Sequence, residues 1–179
     1  MSQASRKLSR LLRHTAGERG LAMTPDGWAA IADVCALLQM DRTALAAAVE
    51  QNDKARLQVD GDRIRACQGH SAAGMPVTCE ALENSWRRVT PQELLWHGTN
   101  TAALDAITRE GLRPGRRTHV HLAPSRNSHV GRRSAVDVLL GIDPVKLGRP
   151  VFEAPNGVLL VRSVPPEAIC RVEKADAVH

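Results

Sequence analysis

Hydrophobic periodicity changes near residue 70, and that change restricts the chain to folds with a helical first part and a short-stranded second part. Leu8, Leu11 and Leu12 recur at helical spacing, and Arg6, Arg10 and Arg13 form a second stripe at i, i+4, i+7. Thr24-Pro25-Asp26-Gly27 marks a turn, after which Trp28, Ile31, Val34, Leu37 and Leu38 predict a second amphipathic helix. Asp41 is placed to cap a third, carrying Leu45, Ala48 and Val49. Residues Arg56–Ala66 then alternate around Asp60-Gly61, a strong hairpin signal. In that hairpin Leu57, Val59, Ile64 and Ala66 are expected to face the helices, with Arg56, Gln58, Arg63 and Arg65 on the other face.

Helices followed by a hairpin is the pattern of a winged helix-turn-helix, predicted here over residues 1–70. Residues 71–91 read as a linker punctuated by Gly74, Pro76 and Pro91, with room for a short helix in Cys79–Arg88. Beyond it come short predicted strands at Leu94–His97, Val120–Ala123, Val136–Ile142 and Val158–Val161, and a helix at Ala102–Glu110 stopped by Gly111. The expected fold class is α+β, with a second lobe over 92–179. A length of 179 residues suits one medium domain or two small ones.

Composition narrows the function classes. Hydrophobic residues make up 43% and charged residues 24%, values of a globular chain rather than a disordered one. No apolar run reaches membrane-spanning length. The basic stretch Met1–Arg13 lacks a following apolar region and cleavage site, so it is not read as a signal peptide. A soluble, cytoplasmic protein is expected, with a monomer as the default. Cys35, Cys67, Cys79 and Cys170 include no C-x-x-C pair, which predicts reduced thiols. Aromatic residues are 2% of the chain, too few for a base-stacking platform. A net charge of +5 instead favours a polyanion held through its phosphates. Positive charge is concentrated in 109–133, where seven Arg meet the single acid Glu110 and His119, His121 and His129 interleave.

Several residues are candidates for chemistry, each beside a plainer reading. Arg13-His14 ends the first helix, where cations ordinarily offset the helix dipole. Lys54 and Arg56 share one face after Asn52-Asp53, which also suits a solvated strand. His97-Gly98-Thr99 ends an apolar strand, where glycine lets backbone approach a ligand and His and Thr offer directional hydrogen bonds. In Arg117–Ala123 a period of two puts Arg117, His119, His121 and Ala123 on one face, which is unfavourable to bury without a ligand. His119-x-His121 with His97 or His129 has a metal-like spacing, but the arginines would repel a dication and no carboxylate is nearby, so no metal is expected. The chain has no P-loop, no G-x-G-x-x-G and no G-x-S-x-G. What remains is a set of cations, suited to a reaction whose substrate brings its own nucleophile.

Taken in order, Leu8-Ser9 with Leu11-Leu12-Arg13-His14, Asn52-Asp53-Lys54-Ala55-Arg56, Gln68-Gly69-His70-Ser71, His97-Gly98-Thr99, Arg117-Thr118-His119-Val120-His121-Leu122, Asn156-Gly157-Val158 and Val164-Pro165-Pro166 resemble the NAD-dependent RNA 2′-phosphotransferase family, often called tRNA 2′-phosphotransferases for their part in tRNA splicing. The resemblance runs from about Leu8 to Ile169. It implies an N-terminal winged-helix lobe and a C-terminal lobe of ADP-ribosyltransferase fold. It also implies removal of an internal RNA 2′-phosphate with NAD⁺ as co-substrate, through an ADP-ribosylated 2′-phospho-RNA, giving 2′-OH RNA, nicotinamide and ADP-ribose 1″,2″-cyclic phosphate. Carried over by motif, the catalytic cations are Arg13, His14, Arg56 and Arg117. Lys54 joins Arg13 and His14 in holding RNA, and His97, Gly98, Thr99 and His121 contact NAD⁺. The chain departs from the family where Leu57 stands for a common Phe and Ala123 for a common Ser, and the second change bears on NAD⁺ affinity.

A phosphate monoester is already anionic at neutral pH, so no protein base is required for its attack. Arginines can orient it and stabilise charge on the phosphoryl oxygens, and bidentate contacts make base stacking dispensable. Two other functions fit the same residues: an ADP-ribosyltransferase acting on terminal phosphates, and a nucleic-acid-binding module without chemistry.

Overall fold

The computed structural model describes residues 2–52, 54–128 and 136–175, so Asp53, His129, Arg132 and Arg133 lie outside the described residues. The fold is α+β, and the chain divides into two compact units, Met1–Trp86 with Arg116–Thr118, and Arg87–Gly115 with His119–His179.

Unit 1 begins with α1 (Gln3–Arg10), capped by the Ser2 side chain, which accepts from Ser5 N–H at 3.2 Å. Its continuation, Leu11–Thr15, is wound as a π-helix, a rare form enriched at functional sites. A two-residue strand, β1 (Ala29–Ala30), leads into α2 (Ile31–Leu38). Helix α3 (Arg42–Glu50) is capped as the sequence predicts, with Asp41 Oδ1 accepting from Ala44 N–H at 2.7 Å. The hairpin β2 (Leu57–Asp60) and β3 (Arg63–Ala66) turns at Gly61, and β3 is the centre of the sheet β1-β3-β2. Helix α4 (Cys79–Ser85) follows, and the buried Trp86 donates from Nε1 to Cys67 O at 2.9 Å.

The hairpin corrects one expectation, that Val59 faces the helices, and shows that its second face is covered as well. Leu57, Ile64 and Ala66 are buried, but Val59 is 45% exposed and Arg65 only 4%. Val59 stands on the edge strand near the turn, whereas α4 and Trp28 cover the polar face of β3. Arg65 donates to Gln58 Oε1 (2.9 Å), Asp26 O (3.2 Å) and Ser85 Oγ (2.9 Å), and its guanidinium lies 4.7 Å from the Trp28 ring centre. Arg65→Ala is expected to destabilise the protein by about 2–3 kcal/mol, since it removes a buried side chain packed on Trp28 and leaves three part-buried acceptors without their donor. The urea midpoint measures this, and an unchanged midpoint would contradict the packing described.

Unit 2 holds two antiparallel sheets, β10-β7-β5 and β4-β8-β9-β6. Their strands are β4 (Arg87–Val89), β5 (Leu95–Thr99), β6 (Val120–Leu122), β7 (Val138–Ile142), β8 (Val151–Glu153), β9 (Leu159–Val161) and β10 (Ile169–Lys174). A backbone pair between Trp96 and Ala123, with N–H···O distances of 2.9 and 2.7 Å, joins β5 to the end of β6. Leu95, Val120, Leu122, Leu140, Ile142, Leu159 and Val161 form one core from both sheets. Helix α5 (Leu104–Glu110) ends at Gly111, whose φ is +77° and where a Cβ would stand 2.0 Å from Val164 O. Among the described residues no helix is long and apolar enough to cross a membrane.

The string Arg117–Ala123 is not one strand. Only Val120–Leu122 is extended in a sheet, and there the alternation holds, with Val120 and Leu122 in one core cluster and Ala123 in another, but it does not extend back to Arg117. Arg117 pairs instead with Ser71, and Thr118 N–H donates to His70 O at 3.1 Å. Arg117 thereby belongs to unit 1, and the chain enters unit 2 at His119.

Candidate active site

Unit 1 gathers Arg13, His14, Arg56 and Arg117 from three distant stretches of sequence. The π-helical turn carries Arg13 and His14. Arg13 Nη2 donates to Gln68 Oε1 at 3.2 Å, while its Nε is buried with no hydrogen-bond partner among the described residues. Its guanidinium lies close against Gly69, which has φ +88°, and a Cβ there would fall 1.7 Å from Nη2. Arg117 and Arg56 are near enough that, after burial, their charges are the next causes lowering the Arg13 pKa, to about 10. The guanidinium stays protonated at neutral pH, beside like charges and, among the described residues, with no carboxylate acting on it.

Neutral groups hold the other members in place. His14 Nδ1 is 2.9 Å from Ser71 Oγ, and Ser71 N–H donates to Arg13 O at 2.8 Å. Arg56 is fixed through its backbone: its N–H donates to Asn52 Oδ1 (3.1 Å) and its carbonyl accepts from Cys67 N–H (2.8 Å). Asn52 is itself buried and donates from Nδ2 to Ser5 Oγ at 3.0 Å. Ala55, just before Arg56, has φ +44°, a left-handed conformation held by this clamp. Lys54 is half-buried in the same loop. Asn52, Gln68, Gly69 and Ser71 were without roles in the sequence reading. Their signal was present in Gln68-Gly69-His70-Ser71, a polar string with glycine directly after an apolar strand.

The pKa of His14 is lowered by burial and then by Arg13, Arg117 and Arg10. The folded state therefore disfavours its proton. Stability contributed by neutral His14 is present above the ordinary value of 6.5 and is lost as pH falls toward the lowered pKa. An anion bound to the cluster reverses this preference, so binding takes up a proton. Affinity for sulfate, whose own charge is constant here, is expected to rise as pH falls toward the lowered pKa of His14. Calorimetry should show this dependence in the native protein and not in His14→Gln. A dependence of equal size in the variant would remove His14 from the cluster.

Unit 2 presents a cavity of about 220 Å³ lined by His97, Gly98, Thr99, Asn100, Ile107 and Arg113, among others. Strand β5 delivers the first three. His97 Nδ1–H donates to His121 O at 2.9 Å, which makes Nε2 the acceptor of the neutral ring. His121 thus contributes its carbonyl to His97, and its ring is not part of the cavity lining. At Gly98 a Cβ would meet Val136 Cγ1 at 2.8 Å, so a side chain there would push into the cavity wall. Asn100 Oδ1 accepts from Ala103 N–H at 3.0 Å and shapes the turn leaving β5. Asp137 accepts from Thr101 N–H (2.9 Å) and Oγ1 (2.8 Å), bonds that hold its carboxyl below the usual range. Among the described residues no group of three or more His, Cys, Asp and Glu is placed to hold a metal ion.

Among the described residues the guanidinium cluster has no carboxylate acting on Arg13 and is seated against Gly69, an arrangement whose charge an oxyanion can complement. Residues 1–163 match the family model "RNA 2'-phosphotransferase, Tpt1 / KptA family". The chain is 40% identical to a "Probable RNA 2'-phosphotransferase" of Burkholderia lata, an alignment covering 97% of this chain and 92% of that one. Proteins of the same description from Pseudomonas aeruginosa (39% identity, 92% and 93% covered) and Agrobacterium fabrum (40%, 92% and 91%) are similarly close. The chain belongs to the RNA 2′-phosphotransferase family, a family of transferases.

Proposed function

We propose that this chain removes an internal 2′-phosphate from RNA by transferring it to NAD⁺, with the phosphate held by the unit 1 cations and NAD⁺ by the unit 2 cavity. The carrying observation is Arg13: a charged guanidinium whose buried Nε has no hydrogen-bond partner and which, among the described residues, has like charges and no carboxylate acting on it, in a family named for handling RNA phosphate. A phosphate monoester supplies the missing charge and the missing acceptors at once. The order of helices and hairpin in unit 1 supports a winged-helix reading, and the paired antiparallel sheets of unit 2 are compatible with an ADP-ribosyltransferase fold.

The residues of the cavity suit one part of a dinucleotide. Its volume is below the ~300–1,000 Å³ of sites that enclose a whole drug-sized ligand. The fixed ring of His97 and the backbone at Gly98 and Thr99 provide directional contacts, and Arg113 provides a cation at the rim. NAD⁺ supplies the electrophilic nicotinamide-bearing ribose carbon, and then the ribose hydroxyl that takes the phosphorus, so that the products are 2′-OH RNA, nicotinamide and ADP-ribose 1″,2″-cyclic phosphate. The protein's part is to orient and to stabilise charge. Arg13, Arg56 and Arg117 fix the phosphate so that one oxygen is presented for attack, a proximity contribution of several kcal/mol. The same guanidiniums stabilise charge on the equatorial oxygens when the RNA 2′-oxygen departs. His14, with Ser71 fixing its ring, holds a phosphate oxygen or delivers a proton to the leaving oxygen.

The test is incubation of a short RNA carrying one internal 2′-phosphate, with and without NAD⁺, resolving products by mass. NAD⁺-dependent loss of the phosphate with the cyclic product is expected. Stable ADP-ribosyl RNA would identify an ADP-ribosyltransferase instead, and binding without nicotinamide release a nucleic-acid-binding module.

A further inference from the structure

The arginine stripe of α1 contains more cations than the cluster around Arg13 uses. Along one side of α1 and its π-helical continuation runs a groove of about 580 Å³, lined by Lys7, Arg10, Thr15, Glu18, Arg19 and the carbonyl end of α2, among others. Arg19 is committed to the far wall, donating from Nη2 to Leu37 O at 3.1 Å. Lys7 and Arg10 are different: both are exposed, and neither side chain has a hydrogen-bond or ion-pair partner among the described residues. Glu18 is the single acid of the lining, against three cations.

The groove adjoins the candidate active site. Arg10 is among the charges that lower the His14 pKa. Lys7 and Arg10 are one three-residue step apart in α1, about 4.5 Å along the axis at the helical rise of 1.5 Å per residue, and Arg13 follows three residues later in the π-helical turn. A row of cations leading from a phosphate-holding cluster along a helix is the electrostatic arrangement that tracks a nucleic-acid backbone. It carries no aromatic residue, so it reads phosphates and not bases.

We infer that Lys7 and Arg10 form a second RNA site, holding backbone phosphates of single-stranded RNA that flank the 2′-phosphorylated nucleotide. This rests on the reading that RNA 2′-phosphate is the substrate. The site explains how a small protein with few aromatics distinguishes an RNA strand from a free phosphate monoester. It makes no contact with the reacting group.

The test compares Lys7→Ala/Arg10→Ala with the unchanged protein on two substrates, a 2′-phosphorylated dinucleotide and a longer single-stranded RNA with the same internal 2′-phosphate. KM for the longer RNA is expected to rise about tenfold more than KM for the dinucleotide. The slope of log affinity for the longer RNA against log salt is expected to fall by about 1.4, for two contacts at about 0.7 each. Equal effects on both substrates, or an unchanged salt slope, would overturn the site. Binding of the longer RNA is read directly by fluorescence anisotropy, which does not depend on turnover. Loss of the salt slope without turnover by the parent would therefore uphold the groove while removing the proposed reaction. Unchanged RNA affinity with weakened binding of polyglutamate would assign the groove to an acidic protein and overturn the proposal.

Discussion

Arg13→Ala is expected to lower kcat/KM for 2′-phosphorylated RNA by about 10³-fold, while the melting temperature stays the same or rises. The first part follows from its position: it is a largely desolvated guanidinium beside Arg56 and Arg117, and removing one preorganised charge donor at a phosphoryl group typically costs about 10²–10³ in rate. The second part follows from the sign of its pKa shift. Folding places this charge where burial, Arg117 and Arg56 all disfavour it, so its presence works against the fold. Arg13→Lys is not expected to restore activity, because an ammonium lacks the planar fork that lies on Gly69 and reaches Gln68. Single-turnover kinetics beside thermal melts of the same samples check both parts. A variant that turns over normally, or one whose activity falls only because it unfolds, would contradict the assignment.

Gly69→Ala is expected to match that loss of activity by a different route. The added Cβ would occupy the place of Arg13 Nη2, 1.7 Å away, and φ +88° is strained for any residue but glycine, at roughly 1–2 kcal/mol. This variant should therefore be both inactive and less stable. Combining it with Arg13→Ala removes the group that is struck, so the effects should not add. The double variant is expected to be no less active than Arg13→Ala and to melt above Gly69→Ala. Additive effects would mean that Gly69 serves something other than the seat of Arg13.

These two residues show what periodicity reveals and what it conceals. Asp41 as a cap, the turn at Gly61 and the stop at Gly111 were legible because local backbone chemistry determines each of them. Arg13-His14 was legible as the end of a helix, but the π-helical winding that carries it was not, since 3.6-residue spacing has no term for an extra residue per turn. Alternation puts Arg65 on the second face of the hairpin but cannot tell that α4 and Trp28 cover that face. β10 escaped notice for the opposite reason. Most of it is exposed, including Val172, so its pairing with β7 leaves little hydrophobic pattern. Arg117 looked like the start of a strand, although its backbone pairs with Ser71, far away in sequence. That partnership is a tertiary fact.

The neutral scaffold of the cation cluster has a consequence for anyone who tries to harden this protein. Gln68, Asn52 and Ser71 hold Arg13, Arg56 and His14 without cancelling their charge. Gln68→Glu would turn the Arg13 contact into an ion pair and relieve part of the repulsion among the arginines. A screen that rewards heat resistance alone should therefore select it, although the new carboxylate would compete for the place an anion is meant to take. Selection for stability and selection for turnover pull in opposite directions at this one position.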